Sequence, residues 1–247
     1  QTVVQYGPMP PNWEGVYLLM DRRGGPPHAP TTADVGLKPV SPNLEAVATA
    51  HLLPWAREKM QANGSNTTID DLSAVCGPAG FFRHPPTAYG YMLLQVPGQI
   101  LLVSQGLDLV GVRRIYLTAK HPDNLLPTWD GDSIGHWEGD TLVVDTVGFN
   151  DRSWLGTELQ PHSEALHVVE RIRTVRDGAY LEIYTTVDDR EALTGPYSYS
   201  RYYRKVDQTY EQVASNCNVA IGDQAEWVYF RDQAIRDSEN DRAGTHP

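Results

Sequence analysis

From about residue 89 onward, apolar and polar residues alternate along the chain, and glycine or proline turn signals interrupt the alternation at short intervals. A period of two is the pattern of a half-buried β-strand. Most connections are too short for the crossovers that parallel strands need. The sequence therefore predicts a mainly β fold of about nine antiparallel strands, namely "YGYMLLQV", "QILLVSQ", "VRRIYLT", "DSIGHW", "DTLVVDTV", "LHVVERIRTVR", "AYLEIYTTV", "YSYSRYYRKV" and "YEQVASN".

A closed barrel is the architecture that we predict from this run of strands. Closure removes the exposed sheet edges and leaves an interior that can hold one small ligand, so we expect an antiparallel lipocalin-like β-barrel over residues 76–247. Residues 1–75 are predicted to pack on it. They comprise an arm rich in proline and glycine, with one short strand at "GVYLLMD", and one or two short helices in "SPNLEAVATAHLLPWAREKMQANG", interrupted near Pro54.

The charge balance restricts the class of partner. A formal net charge of -11 and a pI near 5.1, without any cluster of lysine or arginine, argue against nucleic acid or an anionic membrane surface. No apolar run approaches the roughly 18 residues of a membrane span, so we expect none. The expected partner is a small molecule, and a homo-oligomer is compatible with the sequence.

The expected location is periplasmic or secreted. The chain begins at Gln1 and not at methionine, which the loss of a secretory signal would explain. Cys76 and Cys217 are the two cysteines, and one long-range disulfide would suit an exported protein. Two unpaired buried thiols are the alternative.

A two-residue turn at Asp177 and Gly178 fixes the register of one hairpin, because it puts Arg176 opposite Ala179. Glu170 then falls on the apolar face of this hairpin and His167 on the other. The apolar face pairs Thr174 with Leu181, Ile172 with Ile183, Glu170 with Thr185 and Val168 with Val187. The opposite face pairs Arg173 with Glu182, Arg171 with Tyr184 and His167 with Asp188.

Glu170 is therefore the leading candidate for a catalytic acid or base. A carboxylate on an apolar interior face loses hydration, which disfavours its charged form unless a cation or several donors face it. The alternative is a buried pair with an arginine across the barrel. His167 opposite Asp188 is either an imidazole oriented by a carboxylate or a structural surface pair.

A second hairpin is predicted around Glu138 and Gly139, in "GDSIGHWEGDTLVVD". Taking these two residues as the loop places His136 on one face with two aspartates, and Trp137 on the other with Leu142, Val144 and Thr146. The Trp137 face is the better candidate for the core. The predicted pairs are Trp137 with Asp140, His136 with Thr141, Ile134 with Val143 and Asp132 with Asp145, and a three-residue loop would change them.

The connection between these hairpins carries His162, Glu164 and His167, and imidazole and carboxylate groups in one segment are plausible zinc ligands, with His136 or His84 to complete a set. The spacing in "HSEALH" is not H-E-x-x-H, so we predict no metal. No nucleophile elbow and no nucleotide-binding motif occurs, so we predict no cofactor.

Tyrosine and tryptophan supply the predicted substrate contacts. The chain has 13 tyrosines and six tryptophans, which usually serve packing but also suit a flat aromatic or cyclic ligand through apolar contact and hydroxyl hydrogen bonds. The substrate-binding candidates are Trp129, Trp137, Asp145, Tyr184, Tyr199 and Tyr203.

The segments "PTWDGDSIGHWEGDTLVVDTVGFND", "PHSEALHVVERIR" and "TTVDD" resemble a large group of exported bacterial proteins, mostly of unassigned function. These proteins share the patterns S-I-G-x-W-E-G-D-T-L-V-V-D-T and P-H-S-x-A-L-H-V-x-E-R. The resemblance covers roughly residues 110 to 205 and implies an extracytoplasmic, largely β protein. His136 occupies a variable position, which favours the second motif as the functional one. The matching residues are Ser133, Gly135, Trp137, Glu138, Asp140, Asp145, His162, Ser163, His167 and Glu170.

Together these features predict a cofactor-independent enzyme, a lyase, isomerase or hydrolase, that acts on a small aromatic or cyclic molecule in the barrel. Glu170 is the predicted acid or base, with His162 or His167 as its proton-transfer counterpart and His136 as a further candidate. One alternative is a non-catalytic carrier of a hydrophobic small molecule with Glu170 as a buried structural partner. The other is a zinc-dependent hydrolase that uses His162 and His167.

Overall fold

A computed structural model of the protein describes residues 13–21, 30–41, 43–63, 80–82, 91–105, 110–118 and 120–206. Nine strands form a closed barrel in the order of the chain, with the first strand paired to the last. The predicted mainly β barrel is thus confirmed, and a lipocalin-like architecture is compatible with it. The strands are β1 (Gly15–Leu19), β2 (Tyr91–Val96), β3 (Gln99–Gln105), β4 (Val110–Tyr116), β5 (Asp132–Glu138), β6 (Thr141–Val147), β7 (His167–Val175), β8 (Tyr180–Asp188) and β9 (Tyr197–Val206).

One pair of strands departs from the predicted antiparallel arrangement. β4 and β5 are parallel, with Ile115 opposite Ser133, whereas every other neighbouring pair is antiparallel. An odd number of strands cannot alternate in direction all the way around a closed ring, so one parallel pair is required. The long connection through residues 117–131 makes that crossover.

The N-terminal segment contributes to the barrel wall. β1 lies between β2 and β9, so the short strand predicted in the arm closes the barrel. The predicted strand "YEQVASN", the cysteines Cys76 and Cys217, and the predicted boundary between residues 75 and 76 lie outside the described residues. The division into an arm and a barrel stays a prediction.

Two short helices cover one end of the barrel, and the prediction of one or two short helices is confirmed. The first, α1 (Leu44–His51), begins at Asn43, whose Oδ1 accepts a hydrogen bond from the amide of Ala46 at 3.2 Å. The second, α2 (Pro54–Asn63), begins at Pro54, a residue that suits the first turn of a helix. Within the described part of the chain, neither helix has the length and apolar character needed to cross a membrane.

The hairpin of β7 and β8 has the predicted register at every pair. Asp177 and Gly178 at the centre of its turn have φ of 55° and 85°, as a type I′ turn requires. The hairpin of β5 and β6 differs from the prediction by two residues, because Trp137 lies opposite Leu142 and not opposite Asp140. Its loop is Gly139 and Asp140, and Gly139 with φ of 64° fits the first central position of a type II′ turn. A shift of two keeps every side chain on its face.

The barrel interior contains two apolar clusters. The turn-end cluster lies near the β2–β3, β5–β6 and β7–β8 turns, and the helix-end cluster lies beneath α1 and α2. The turn-end cluster comprises Trp13, Tyr17, Tyr91, Leu93, Ile100, Leu102, Ile115, Leu117, Leu142, Val144, Ile172, Leu181, Ile183 and Tyr203. The helix-end cluster comprises Ala48, Leu52, Ala56, Phe81, Phe82, Phe149, Leu155, Leu166, Val168, Val187, Ala192, Leu193, Tyr197 and Tyr199.

A layer of polar side chains separates the two clusters. Along β7, Glu170 lies between Val168 of the helix-end cluster and Ile172 of the turn-end cluster. Along β9, Arg201 lies between Tyr199 and Tyr203 in the same way. We call this set the polar layer; its members are Arg113, Ser133, Thr146, Glu170, Thr185 and Arg201.

Candidate functional site in the barrel interior

The polar layer is organised around an ion pair across the barrel. Nη2 of Arg113, on β4, lies 2.5 Å from Oε2 of Glu170 on β7. The same Nη2 lies 3.1 Å from the hydroxyls of Ser133 and Thr146, and the guanidinium lies over the ring of Phe81, 4.3 Å from its centroid. Glu170 is therefore inward, as predicted, and it has the arginine partner that the sequence left as an alternative.

The two oxygens of the Glu170 carboxylate differ in their contacts. Oε2 accepts a hydrogen bond from Arg113, whereas Oε1 has no hydrogen-bond partner among the residues that the structure describes. The ion pair fixes the side chain in position. The free oxygen can accept a proton or a hydrogen bond from a molecule inside the barrel.

A second arginine and three tyrosines lie in the same region. The guanidinium of Arg201 lies over the ring of Tyr199, 5.1 Å from its centroid. Burial, followed by the charges of Tyr203 and Glu170, raises the pKa of Tyr91 well above its ordinary value. Burial also raises the pKa of Tyr199 and that of Tyr203, the latter to about 12. These phenols stay protonated near neutral pH and are hydrogen-bond donors.

The predicted substrate-binding residues do not all face this interior. Tyr199 and Tyr203 face inward and are buried. Trp137 also points inward, edge-on to Trp13 at 4.9 Å between ring centroids, and its buried Nε1 has no hydrogen-bond partner among the described residues. Tyr184, opposite Arg171, is on the outer face.

Trp129 and His136 are not members of the polar layer. Trp129 lies in the connection before β5, where its carbonyl accepts a hydrogen bond from the amide of Phe81 at 3.3 Å. His136 is exposed on the outer face, 3.4 Å from Glu138.

A chain of histidines and aspartates lies on the outer face of β5, β6 and β7. His121 contacts Asp132 through Nδ1 at 2.6 Å and Asp145 through Nε2 at 2.9 Å. The other oxygen of Asp145 lies 2.7 Å from Nε2 of His167. The imidazole of His167 is therefore oriented by a carboxylate, but that carboxylate is Asp145 of β6 and not the cross-strand neighbour Asp188.

His162 lies at the helix end of the barrel, away from the polar layer. Its Nε2 accepts a hydrogen bond from the buried hydroxyl of Ser153 at 2.8 Å, and its Nδ1 donates to the carbonyl of Ser163 at 3.0 Å. The amide and hydroxyl of Ser163 donate to Asp189 at 2.6 and 2.7 Å. The structure thus brings neither His162 nor His167 into contact with Glu170.

The three histidines of the zinc alternative make separate contacts. His136 contacts Glu138, His162 contacts Ser153, and His167 contacts Asp145. Across the described ranges, no group of three or more His, Cys, Asp or Glu side chains is arranged to hold a metal ion. His84, a further candidate, lies outside those ranges.

We expect His121 and His162 to act oppositely on the pH dependence of stability. Burial opposes the charge of His121, but Asp132 and Asp145 raise its pKa above 6.5. The stabilisation that it contributes is complete below pH 6.5 and is lost as the pH rises through the raised pKa. Burial lowers the pKa of His162 below 6.5, so its contribution is complete above pH 6.5 and is lost as the pH falls.

Urea unfolding between about pH 5 and pH 8 measures both effects. His121→Asn is expected to remove the loss of stability above pH 6.5, while His136→Asn, on the same face but exposed, is expected to leave the profile unchanged. If His121→Asn still loses stability above pH 6.5 as the wild type does, His121 is not the cause of that loss.

Arg113 and Arg201 are not among the predicted site residues, although the sequence carries a signal for both. Arg113 is in phase with Ile115, and Arg201 is in phase with Tyr199 and Tyr203, so a period of two turns both inward. The sequence does not show which charged residue each one meets, because that depends on the strand order around the barrel.

Comparison with known proteins gives no family assignment. No family model matches the sequence, and no curated protein matches it.

Proposed function

We propose that this protein is a cofactor-independent enzyme that moves a proton on a small aromatic or cyclic molecule bound inside the barrel. Glu170 is the base. One observation carries the proposal: Glu170 is 5% exposed, with one carboxylate oxygen held by Arg113 and the other without a partner in the described structure. A fixed carboxylate with a free oxygen in a mostly apolar interior is suited to proton abstraction.

The reaction class follows from the groups around Glu170. Oε1 would take a proton from a carbon next to a carbonyl group; the electron pair of that C–H bond would form a C=C bond to the carbonyl carbon, and the π pair of the carbonyl would move onto its oxygen. The protonated phenols of Tyr91 and Tyr203 would stabilise this oxygen by donating hydrogen bonds. Return of the proton to another carbon gives an isomerase, and departure of a neighbouring leaving group gives a lyase.

The phenols replace the histidines as the proposed counterpart of Glu170. His167 is on the outer face with Asp145, and His162 is bonded to Ser153 at the helix end. A phenol with a raised pKa holds its proton, so it polarises the substrate oxygen without giving up the proton.

A carrier is the second candidate, and the ion pair itself favours it. A carboxylate already paired with Arg113 at 2.5 Å is also what a structural pair in a binding protein would look like. In that case the bound molecule would be recovered from the protein chemically unchanged.

Deuterium exchange tests the enzymatic proposal. A panel of small cyclic and aromatic ketones and lactones is incubated with the protein in D₂O, and proton NMR follows the loss of C–H signals. Glu170→Gln keeps an oxygen that Arg113 can bond to but removes the base, so we expect exchange to fall by about 10²- to 10⁴-fold. Near-normal exchange in this variant would refute the assignment.

Glu182→Gln is the matched control. Glu182 is also buried, at 8% exposure, and is also paired with an arginine, Arg173, at 2.5 Å. It lies on the outer face of β8, so its replacement should leave exchange intact. Equal losses in both variants would indicate a general effect on folding, and ligand binding without exchange would favour the carrier.

The motifs quoted above support a periplasmic or secreted location, since they resemble those of exported bacterial proteins. Fractionation of expressing cells tests this, and recovery in the cytoplasm would contradict it.

A further inference from the structure

Arg201 lies on the inward face of the barrel, partly accessible to solvent, and has no ion-pair partner within the described ranges. It occupies the inward face of β9, opposite the buried Ile183. Its guanidinium lies over the ring of Tyr199, but it forms no hydrogen bond or ion pair with any residue that the structure describes. A guanidinium carries five donors in a planar fork and stays charged at any physiological pH, so Arg201 presents unused hydrogen-bonding capacity to the interior.

The charges of the polar layer also leave Arg201 without an ion pair. Arg113 and Glu170 compensate each other through their ion pair, so Arg201 has no carboxylate in contact within the described chain, and Glu45 acts on its charge only from a distance. This local positive charge occurs in a chain with a formal net charge of -11. A partly buried charge without an ion pair is costly, and a ligand of opposite charge in direct contact lowers that cost.

A second donor on the same inward face is also unused. Tyr197 is only 4% exposed, and its buried hydroxyl has no hydrogen-bond partner in the described part of the chain. Buried polar groups in native proteins normally have a partner. Two unused donors on one strand face are consistent with a polar molecule bound along β9.

We propose that Arg201 binds the anionic group of a monoanionic aromatic or cyclic acid, such as a carboxylate or a sulfonate. The fork of the guanidinium matches two oxygens of such a group. Tyr91, Tyr199 and Tyr203 provide flat apolar contact for the ring. This inference rests on the proposal that the interior binds a small aromatic or cyclic molecule, and it names the chemical class of that molecule.

A matched pair of fluorescent probes tests the inference with the full chain. 8-Anilinonaphthalene-1-sulfonate carries the anionic group, and N-phenyl-1-naphthylamine has the same ring system without it. We expect both to bind the wild-type protein, the sulfonate more tightly. Arg201→Met should weaken sulfonate binding by about 10- to 100-fold and leave naphthylamine binding unchanged. Arg204→Met is the control, because it removes a cation from the outer face of β9. We expect it to change the affinity for neither probe.

The possible outcomes separate this inference from the proposed function. Binding of both probes with no selective loss of sulfonate in Arg201→Met overturns the anion site and leaves interior binding intact. Absence of naphthylamine binding to the wild-type protein overturns interior binding and the anion site with it. If Arg201→Met does not fold, Arg201→Lys replaces it in the test. This variant keeps the positive charge but lacks the planar fork, so we expect a smaller loss of affinity, confined to the sulfonate.

Discussion

Replacing Arg113 with methionine is expected to lower the free energy of unfolding by about 3–5 kcal/mol, the cost of removing one partner of a buried ion pair. The side chains of Arg113 and Glu170 are 13% and 6% exposed, so solvent can do little to compensate the carboxylate once the arginine is gone. Urea unfolding followed by circular dichroism measures the loss.

The double variant distinguishes an ion pair from simple packing. Arg113→Met combined with Glu170→Met removes both charges, and we expect it to regain most of the stability lost in Arg113→Met, because buried pairs can often be replaced by apolar side chains at little cost. A double variant as unstable as the sum of the two single variants would contradict this.

Arg173 provides a matched control for Arg113. Its Nε lies 2.5 Å from Glu182, the same distance as in the interior pair, but its side chain is 53% exposed. Solvent screens the exposed guanidinium, and the buried Glu182 keeps a hydrogen bond from the hydroxyl of Tyr202 at 2.5 Å, so Arg173→Met should cost less than Arg113→Met, about 1–2 kcal/mol. The difference between the two arginine variants measures the effect of burying the arginine.

Local patterns sufficed to predict much of the barrel. The turn at Asp177 and Gly178 was predictable because two consecutive positive φ angles favour this residue pair, and it set the register of β7 and β8 correctly. At Gly139 the same reasoning placed the glycine second in the loop, whereas it is first. The predicted pairing of β5 with β6 was therefore wrong by two residues. Because two is the period of a strand, each side chain was still assigned to the correct face.

Long-range relations were not predictable in the same way. The parallel pair of β4 and β5 depends on closure by β1, and closure is not a local property of any segment. The inward orientation of Glu170 follows from its register, but its partner Arg113 is set by strand order. His167 was predicted opposite Asp188, and it is, yet its imidazole reaches Asp145 of the neighbouring strand instead.

Asp189→Ala is expected to cost about 3 kcal/mol, because it leaves four donors, one buried and three partly buried, without a partner, and a buried donor left unpaired costs about 1–3 kcal/mol. Asp189 is fully buried and accepts hydrogen bonds from the amide and hydroxyl of Ser163 and from the amides of Glu191 and Ala192, at distances from 2.6 to 3.1 Å. Its neighbour Asp188 is exposed, so Asp188→Ala should change stability by no more than about 0.5 kcal/mol.

Comparing Asp189→Ala with Asp188→Ala also tests what the motif "PHSEALH" does in this protein. The hydroxyl of Ser163 donates to Asp189, and the carbonyl of the same serine accepts from Nδ1 of His162. Asp189→Ala should therefore also change the environment of the buried imidazole, which NMR of the histidine ring measures. If Asp189→Ala shifts the His162 resonances and destabilises the fold while Asp188→Ala does neither, then this part of the motif holds the connection between β6 and β7 against the end of β8. If both variants are as stable as the wild type, Asp189 does not anchor that connection.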